Sequence, residues 1–317
     1  MAKILVTGGC GYVGSVLVPK LLSDRHDVLV IDDQWFGNFL HTHPALKITK
    51  KTIENINEDD LRGVEVVMHL ANVANDPSVE INPTFSWEVN VLHTTQFLEL
   101  CRRSGSVKKF MYASSGSVYG VKSEPNVTED LALVPISAYN KTKMSAERVC
   151  LSYADDFEVF CIRPATVCGV SPRMRFDVVV NMFVMQAFLN NQITVLGGDQ
   201  VRPNIHIDDM AAVYVHFLNN NGLKSGTYNA GFENISVMDI AKMVQDRFKV
   251  GIEVKPSNDP RSYRQDSTKL VNTGFEPKKS VSNAIDEIAT KLQSSEIKDD
   301  DRWHTVRWMT SQNIGAQ

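Results

Sequence analysis

Three glycines at GxxGxxG spacing, in Thr7-Gly8-Gly9-Cys10-Gly11-Tyr12-Val13-Gly14, stand between a short apolar run and the start of a helical pattern. In that context the glycines have distinct tasks. Gly8 permits a tight turn, Gly11 lets a pyrophosphate approach the backbone, and Gly14 lets helix pack on strand while the helix N-terminus faces the anion. A glycine-rich turn alone can be no more than a turn. Here Asp32 follows, 18 residues after Gly14, at the end of the second apolar run. A carboxylate at that place accepts hydrogen bonds from a ribose diol and repels a 2'-phosphate. No arginine follows in Asp33-Gln34-Trp35-Phe36, so the dinucleotide expected is NAD rather than NADP.

The rest of the first two thirds fits this reading. Strands are expected at Lys3–Thr7, Val28–Asp32, Val64–Leu70, Lys109–Ala113 and Phe157–Arg163, with helices at Gly14–Ser23, around Phe85–Ser104 and at Tyr139–Tyr153. Apolar runs alternating with helical stretches are the mark of βαβ units, and continuous apolar strands are those of a sheet covered on both faces. The fold class is therefore α/β, a doubly wound parallel sheet. After Arg163-Pro164 the pattern changes to helices at Val178–Asn190, Asp208–Asn219, Ser236–Phe248 and about Val281–Ser294, with short strands at Ile193–Leu196 and Thr227–Ala230. These form a smaller mixed α/β part packed on the sheet, the chain crossing between the two. Trp303 and Trp308 follow a charged stretch and are expected to pin the tail to another surface.

Composition excludes other classes. Hydrophobic content of 43% and charged content of 22% are those of an ordinary globular protein. A net charge of -4, without an extended basic run, offers no electrostatic capture of nucleic acid or of an anionic membrane. The five cysteines form no CxxC, which implies buried thiols of a reducing compartment, a cytoplasmic location and no disulfide framework. No residue is selected as a metal ligand.

At the next strand end stands Ala113-Ser114-Ser115-Gly116-Ser117-Val118-Tyr119-Gly120, and 24 residues beyond Ser115 comes Tyr139-Asn140-Lys141-Thr142-Lys143. Tyrosine and lysine four apart share a helical face, so the ammonium of Lys143 is placed to stabilise the phenolate of Tyr139 and to hold a ribose hydroxyl. The expectation is a tyrosine depressed toward neutrality and usable as a base, with Ser115 sharing the substrate hydroxyl. His69 reads as a packed histidine, whereas Ala71 leaves room for a cofactor.

The combination TGGCGYVGS, Asp32, HLA, SSGSVYG, YNKTK and IRP resembles the extended short-chain dehydrogenase/reductases, specifically the NAD-dependent nucleotide-sugar epimerase/dehydratase family, over nearly the whole chain. The resemblance implies a Rossmann domain at 1–165, with about 200–232 crossing back to it, and a substrate domain of 166–199 and 233–317. It implies Ser115, Tyr139 and Lys143 as the catalytic residues. It implies an NAD site of Gly8, Gly11, Tyr12, Val13, Gly14, Asp32, Ile53, Leu70 and Ala71, with Asn90 as the helix asparagine that supports it. Thr52-Ile53 stands where the family has an adenine-binding Asp-Ile pair, which leaves that contact to the backbone. A homodimer formed by the helices around Phe85–Ser104 and Tyr139–Tyr153 is a further expectation of the resemblance.

Family chemistry begins with oxidation of the sugar at C4 to a ketone. Dehydratases then use an Asp-Glu pair just after the catalytic hydroxyl, where this chain has Gly116-Ser117. The 3,5-epimerase/reductases use a cysteine and a histidine at positions that look like Ser117 and Ser171. What remains is 4-epimerisation of a nucleoside-diphosphate sugar, or net C4 oxidation. The stretch ATVCGVSPRMRFDVVVN is similar to a subgroup that includes C4-oxidising enzymes of GDP-heptoses. A non-catalytic dinucleotide sensor is disfavoured because Ser115, Tyr139 and Lys143 are all present. For the substrate, Thr166, Arg173, Arg175, Asn181 and Arg202 are candidates, with Arg261 replacing an arginine that Pro256-Ser257-Asn258-Asp259 lacks. Guanidinium forks suit a diphosphate, although Arg173 and Arg175 read equally as solvated surface residues.

Overall fold

A computed structural model describes residues 1–257 and 262–315. Its strands are β1 (Lys3–Thr7), β2 (Asp27–Asp32), β3 (Leu46–Lys50), β4 (Val66–His69), β5 (Lys109–Ala113), β6 (Glu158–Pro164), β7 (Thr166–Cys168), β8 (Gln192–Leu196), β9 (Val201–His206), β10 (Gly226–Ala230), β11 (Glu233–Ser236) and β12 (Gly251–Lys255). Seven of them form a parallel sheet in the order β3-β2-β1-β4-β5-β6-β10. Order therefore reverses between β1 and β4, and a crevice opens there beyond the strand C-termini.

Successive residues of β1 show why its apolar run is unbroken: Ile4 and Val6 enter the core on one face of the sheet, Leu5 the core on the other. Helix α1 (Gly14–Ser23) covers the first face. The other face takes α4 (Thr94–Ser104) and α5 (Ala138–Leu151), while α2 (Asp76–Val79) and α3 (Pro83–Trp87) pack in a smaller cluster with Val73 and Met309. A π-helical turn, Glu88–His93, joins α3 to α4, so the expected long helix is continuous but wound differently at its centre. Such turns widen a helix locally and recur at functional sites.

A second core is built from α6 (Val179–Asn190), α8 (Val237–Phe248) and α10 (Val281–Gln293), with β8 and β12 beside them. Helix α7 (Ile207–Asn219) and β10 return to the first core, where Leu270 of α9 (Thr268–Val271) and Phe275 also pack. Ser236 caps α8 by accepting a hydrogen bond from Asp239 N at 3.0 Å, the role its sequence position assigns.

Five strands were not legible in the sequence: β3, β7, β9, β11 and β12. β3 is a half-buried edge strand, Leu-Lys-Ile-Thr-Lys, without an apolar run. β7 has only three residues. β9 carries Pro203 in the middle of a three-stranded sheet, β11-β9-β7; because β7 reaches only Asn204–His206, Pro203 has a strand neighbour on one side alone. Trp303 packs against Phe39 at 5.1 Å, and Trp308 opens contacts of its own in α11 (Thr305–Ser311). No helix among the described residues is long and apolar enough to cross a membrane.

Candidate active site

The ends of β1, β2, β4, β5 and β6 open into one cavity of about 800 Å³, lined by Gly8, Gly11, Tyr12, Val13, Gly14, Asp32, Ile53, Leu70 and Ala71 on one side and by Ser115, Tyr139, Lys143 and Thr166 on the other. Asp32 is held there by two backbone donors, Cys10 N at 2.9 Å and Gln34 N at 2.6 Å. Burial pushes its carboxyl up, and these two N–H groups and Arg173 oppose that push. Asp33 is pushed up to about 7, by burial and then by Asp32.

Strand alternation separates the two serines after β5. Ser114 Oγ donates inward to Glu147 Oε2 at 2.7 Å, whereas Ser115 faces the cavity with its Oγ 2.7 Å from Ser117 Oγ. Helix α5 starts at a Ser137 cap and presents Tyr139 and Lys143 to the same cavity. Lys143 Nζ donates to Ala113 O at 2.7 Å and lies 5.0 Å from the Tyr112 ring and 6.0 Å from the Tyr139 ring.

Buried cations complete the lining. Arg175 makes two 2.9 Å bonds to Asp177; against burial, this pairing keeps Arg175 charged and holds Asp177 down to about 2. Arg173 has no such partner. It is 3% exposed, its guanidinium sits 3.9 Å from the Phe36 ring centre, one nitrogen reaches Thr305 Oγ1 at 3.4 Å, and Nε finds no acceptor among the described residues. Burial, then the like charge of Arg175, pulls it down to about 9. A buried cation with a spare N–H beside Asp32 is costly unless an anion meets it. The residues present therefore fit a dinucleotide, a ribose diol at Asp32 and a pyrophosphate near the glycine turn and Arg173.

The model of the NAD dependent epimerase/dehydratase family matches residues 4–231. The chain belongs to that family. It is 32% identical over 266 residues to an uncharacterised UDP-glucose epimerase of Bacillus subtilis, covering 77% of this chain and 81% of the relative. It is 29% identical over 293 residues to UDP-glucuronic acid decarboxylase 1 of Xenopus tropicalis, covering 87% and 68%. Its structure resembles that of UDP-glucuronic acid 4-epimerase from Bacillus cereus in complex with UDP-glucuronic acid and NAD. The TM-score is 0.82 at 26% identity, over 92% of this chain and 99% of that one.

Within this NAD-dependent epimerase/dehydratase, several residues sit where the sequence did not place them. Asn181 is fully buried and spends its amide inside the protein, accepting from Gly169 N at 3.1 Å and donating to Tyr12 Oη and Arg175 O at 2.9 Å each. It positions the wall and does not line the cavity. Asn90, in the π turn, likewise grips Val73 N and O and Thr142 Oγ1 and is not among the residues that line the cavity. Arg173 stands with Asp32 and Phe36, and Arg202 lines the same cavity from β9. Arg261 lies outside the described residues. His69 is packed as expected, between Thr7 Oγ1 at 2.7 Å and Thr94 Oγ1 at 3.0 Å.

The expected depression of Tyr139 is reversed. Burial pushes its hydroxyl up, with Ser115 and the Asn75 N–H opposing, while burial pushes Lys143 down to about 7. The Lys143 ammonium donates to Ala113 O and lies 6.0 Å from the centre of the Tyr139 ring.

A pH dependence follows. Lys143 takes up its proton near 10.5 in the unfolded chain but near 7 in the folded one. Between these values the unfolded chain binds more protons, so the Lys143 contribution to stability rises with pH across that window and its cost is whole below it. In urea titrations of nucleotide-free protein, Lys143→Met is expected to gain most over the parent at pH 6 and least near pH 10. A difference that stays flat with pH means that Lys143 is not held low.

The sequence marked Ser171 only as a place without the histidine of the 3,5-epimerase/reductases and missed its structural role: its Oγ donates to Tyr12 O at 2.7 Å and lies 2.8 Å from Ser15 Oγ. With Tyr12 Oη donating to Gly169 O at 2.8 Å, it ties the glycine turn to the second core. Also missed were Asn75 and Asp76 beside Tyr139, and Thr305, Val306 and Met309 in the cavity wall. Only the two tryptophans signalled the last three. His206, Asp208 and Glu287 also lie within 4.8 Å of one another, but Lys20 pairs with Asp208 and Lys279 with Glu287, an arrangement of ion pairs.

Proposed function

We propose that this chain is a nucleotide-sugar 4-epimerase that keeps its NAD through the cycle. The observation that supports it best is the meeting of Ser115, Tyr139 and Lys143 in the cavity of the glycine turn and Asp32, with Ser117 and not a carboxylate beside Ser115. When bound, NAD supplies the hydride acceptor and donor, and in its oxidised form a positive charge that favours the Tyr139 phenolate.

The chain's own residues do the rest. Tyr139 takes the proton of the sugar 4-hydroxyl while Ser115 orients that hydroxyl, and the hydride leaves C4 to give a 4-keto sugar. After the ketone turns its other face, hydride returns to C4 and Tyr139 returns the proton to the oxygen, so no net oxidant is consumed. Lys143 orients the ribose and favours the phenolate. Asp32 accepts from the adenosine ribose, Arg173 meets the cofactor pyrophosphate, and Arg202 with Thr166 meets the sugar nucleotide. Gly116-Ser117, where the family's dehydratases carry an Asp-Glu pair, favours epimerisation over elimination.

The substrate class proposed is a UDP-sugar first, in keeping with the similar proteins, and a GDP-sugar second. Proton NMR of the protein with UDP- and GDP-hexoses, their N-acetyl forms and a GDP-heptose, without added cofactor, tests this. A new C4-inverted anomeric signal is expected. A 4-keto signal that grows only with an electron acceptor would replace epimerisation by net oxidation.

Asp32→Asn is expected to weaken NAD about ten- to a hundredfold and to narrow the margin over NADP, because a charged acceptor contributes about 1.5–3 kcal/mol; titration of intrinsic fluorescence with each nucleotide measures both. We infer also a homodimer through α3–α4 and α5, where Trp87 and Leu92 are exposed. Light scattering should return twice the chain mass.

A further inference from the structure

Residues 303–314 lie beyond the family match, which ends at 231, yet they build part of the cavity. Thr305, Val306 and Met309 line it. Trp308 Nε1 donates to Trp35 O at 2.6 Å, in the loop that follows Asp32. Met309 and Ile314 pack with Val73, Val79, Trp35, Phe36, Phe85 and Tyr139. The segment thus bridges the loop of the ribose-binding carboxylate to the neighbours of the tyrosine, and Thr305 touches the unsatisfied Arg173 on the way. We propose that this segment is a strap that holds the dinucleotide in place, with Trp308 and Met309 as its anchors. The proposal rests on the reading of the chain as an epimerase with retained NAD.

A retained cofactor is what separates the two possible outcomes at C4. If reduced cofactor leaves before hydride returns, the ketone accumulates; if it stays, the same hydride reaches the other face. A dinucleotide held at both Asp32 and Tyr139 must pass the strap to leave. Helix α11 has only seven residues, too few to be stable alone, so its place depends on the indole bond and the buried methionine. Releasing either anchor loosens the wall without touching Asp32, Ser115 or Lys143.

The test compares parent, Trp308→Phe, Trp308→Ala and Met309→Ala. Nucleotide released by heat from desalted protein gives NAD per chain, and exchange against 1,N6-etheno-NAD gives the dissociation rate. The parent is expected to retain its NAD; Trp308→Ala is expected to exchange about ten to a hundred times faster, as loss of a half-buried hydrogen bond and its packing implies, and to regain turnover with added NAD. Trp308→Phe, which keeps the ring but not the donor, should fall between. Circular dichroism and the melting temperature with saturating NAD identify variants that fold. Folded variants that exchange at the parent's rate overturn the strap. The reaction itself is read separately by NMR: a parent that yields only ketone overturns the epimerase reading, while faster exchange in the variants still supports the strap.

Discussion

Tyr139→Phe is expected to lower kcat by about 10²- to 10⁴-fold, the range of a positioned acid or base, with KM for the sugar nucleotide little changed. The side chain is part of the cavity wall and packs near Val73, Val79 and Met309, so the ring that remains preserves the shape. What is lost is the one hydroxyl that faces both Ser115 and the Asn75 N–H. Because burial holds that hydroxyl's titration above the ordinary tyrosine value in the free protein, catalysis depends on bound cofactor and substrate to draw the proton off. The parent should therefore lose kcat/KM on the acid side, and nucleotide-free protein should show no tyrosinate absorbance near neutrality. NAD content is expected to be unchanged in the variant. A phenylalanine variant within tenfold of the parent removes Tyr139 from the reaction.

The cofactor half was the most legible because its chemistry is local. Gly8, Gly11, Gly14 and Asp32 need only strand, turn and helix in succession, and both strands that carry them are unbroken apolar runs. Tyr139 and Lys143 needed one helical turn. The residues misplaced in the sequence reading are those whose role depends on distant partners. Asn181 is drawn into the wall by Tyr12, 169 positions away, and no local pattern separates it from a substrate ligand. Arg173 reads equally as a diphosphate ligand and as a surface arginine until Phe36 and Thr305 close around it. β9 is obscured by Pro203, and the strap is visible only as two tryptophans after a charged run. Sequence periodicity reports burial on one element; it does not report which second element supplies the cover.

Gly8→Ala should be the most damaging substitution in the cofactor half. Gly8 has φ +70°, a conformation that costs an L-residue about 1–2 kcal/mol, and an added Cβ would lie 2.6 Å from Ala71 N and 2.8 Å from Ala71 Cα. Neither atom belongs to a flexible side chain. Ala71 follows β4 and is itself held to the sheet, with Leu70 N donating to Thr7 O at 3.0 Å, so relief requires β1 and β4 to part at the crevice. Gly8 O in turn accepts from Gly11 N at 3.1 Å, and a Cβ on Gly14 would meet that same oxygen at 2.6 Å. The turn is thus close-packed against backbone on two sides and has no slack to absorb a methyl group. The variant is expected to lose about 2–4 kcal/mol of stability, at the high end for a single substitution, and to emerge from purification without NAD. Urea titration and nucleotide content measure the two effects separately. A Gly8→Ala protein that keeps both would show that the crevice between β1 and β4 opens freely, and that the glycine turn is not what places the dinucleotide.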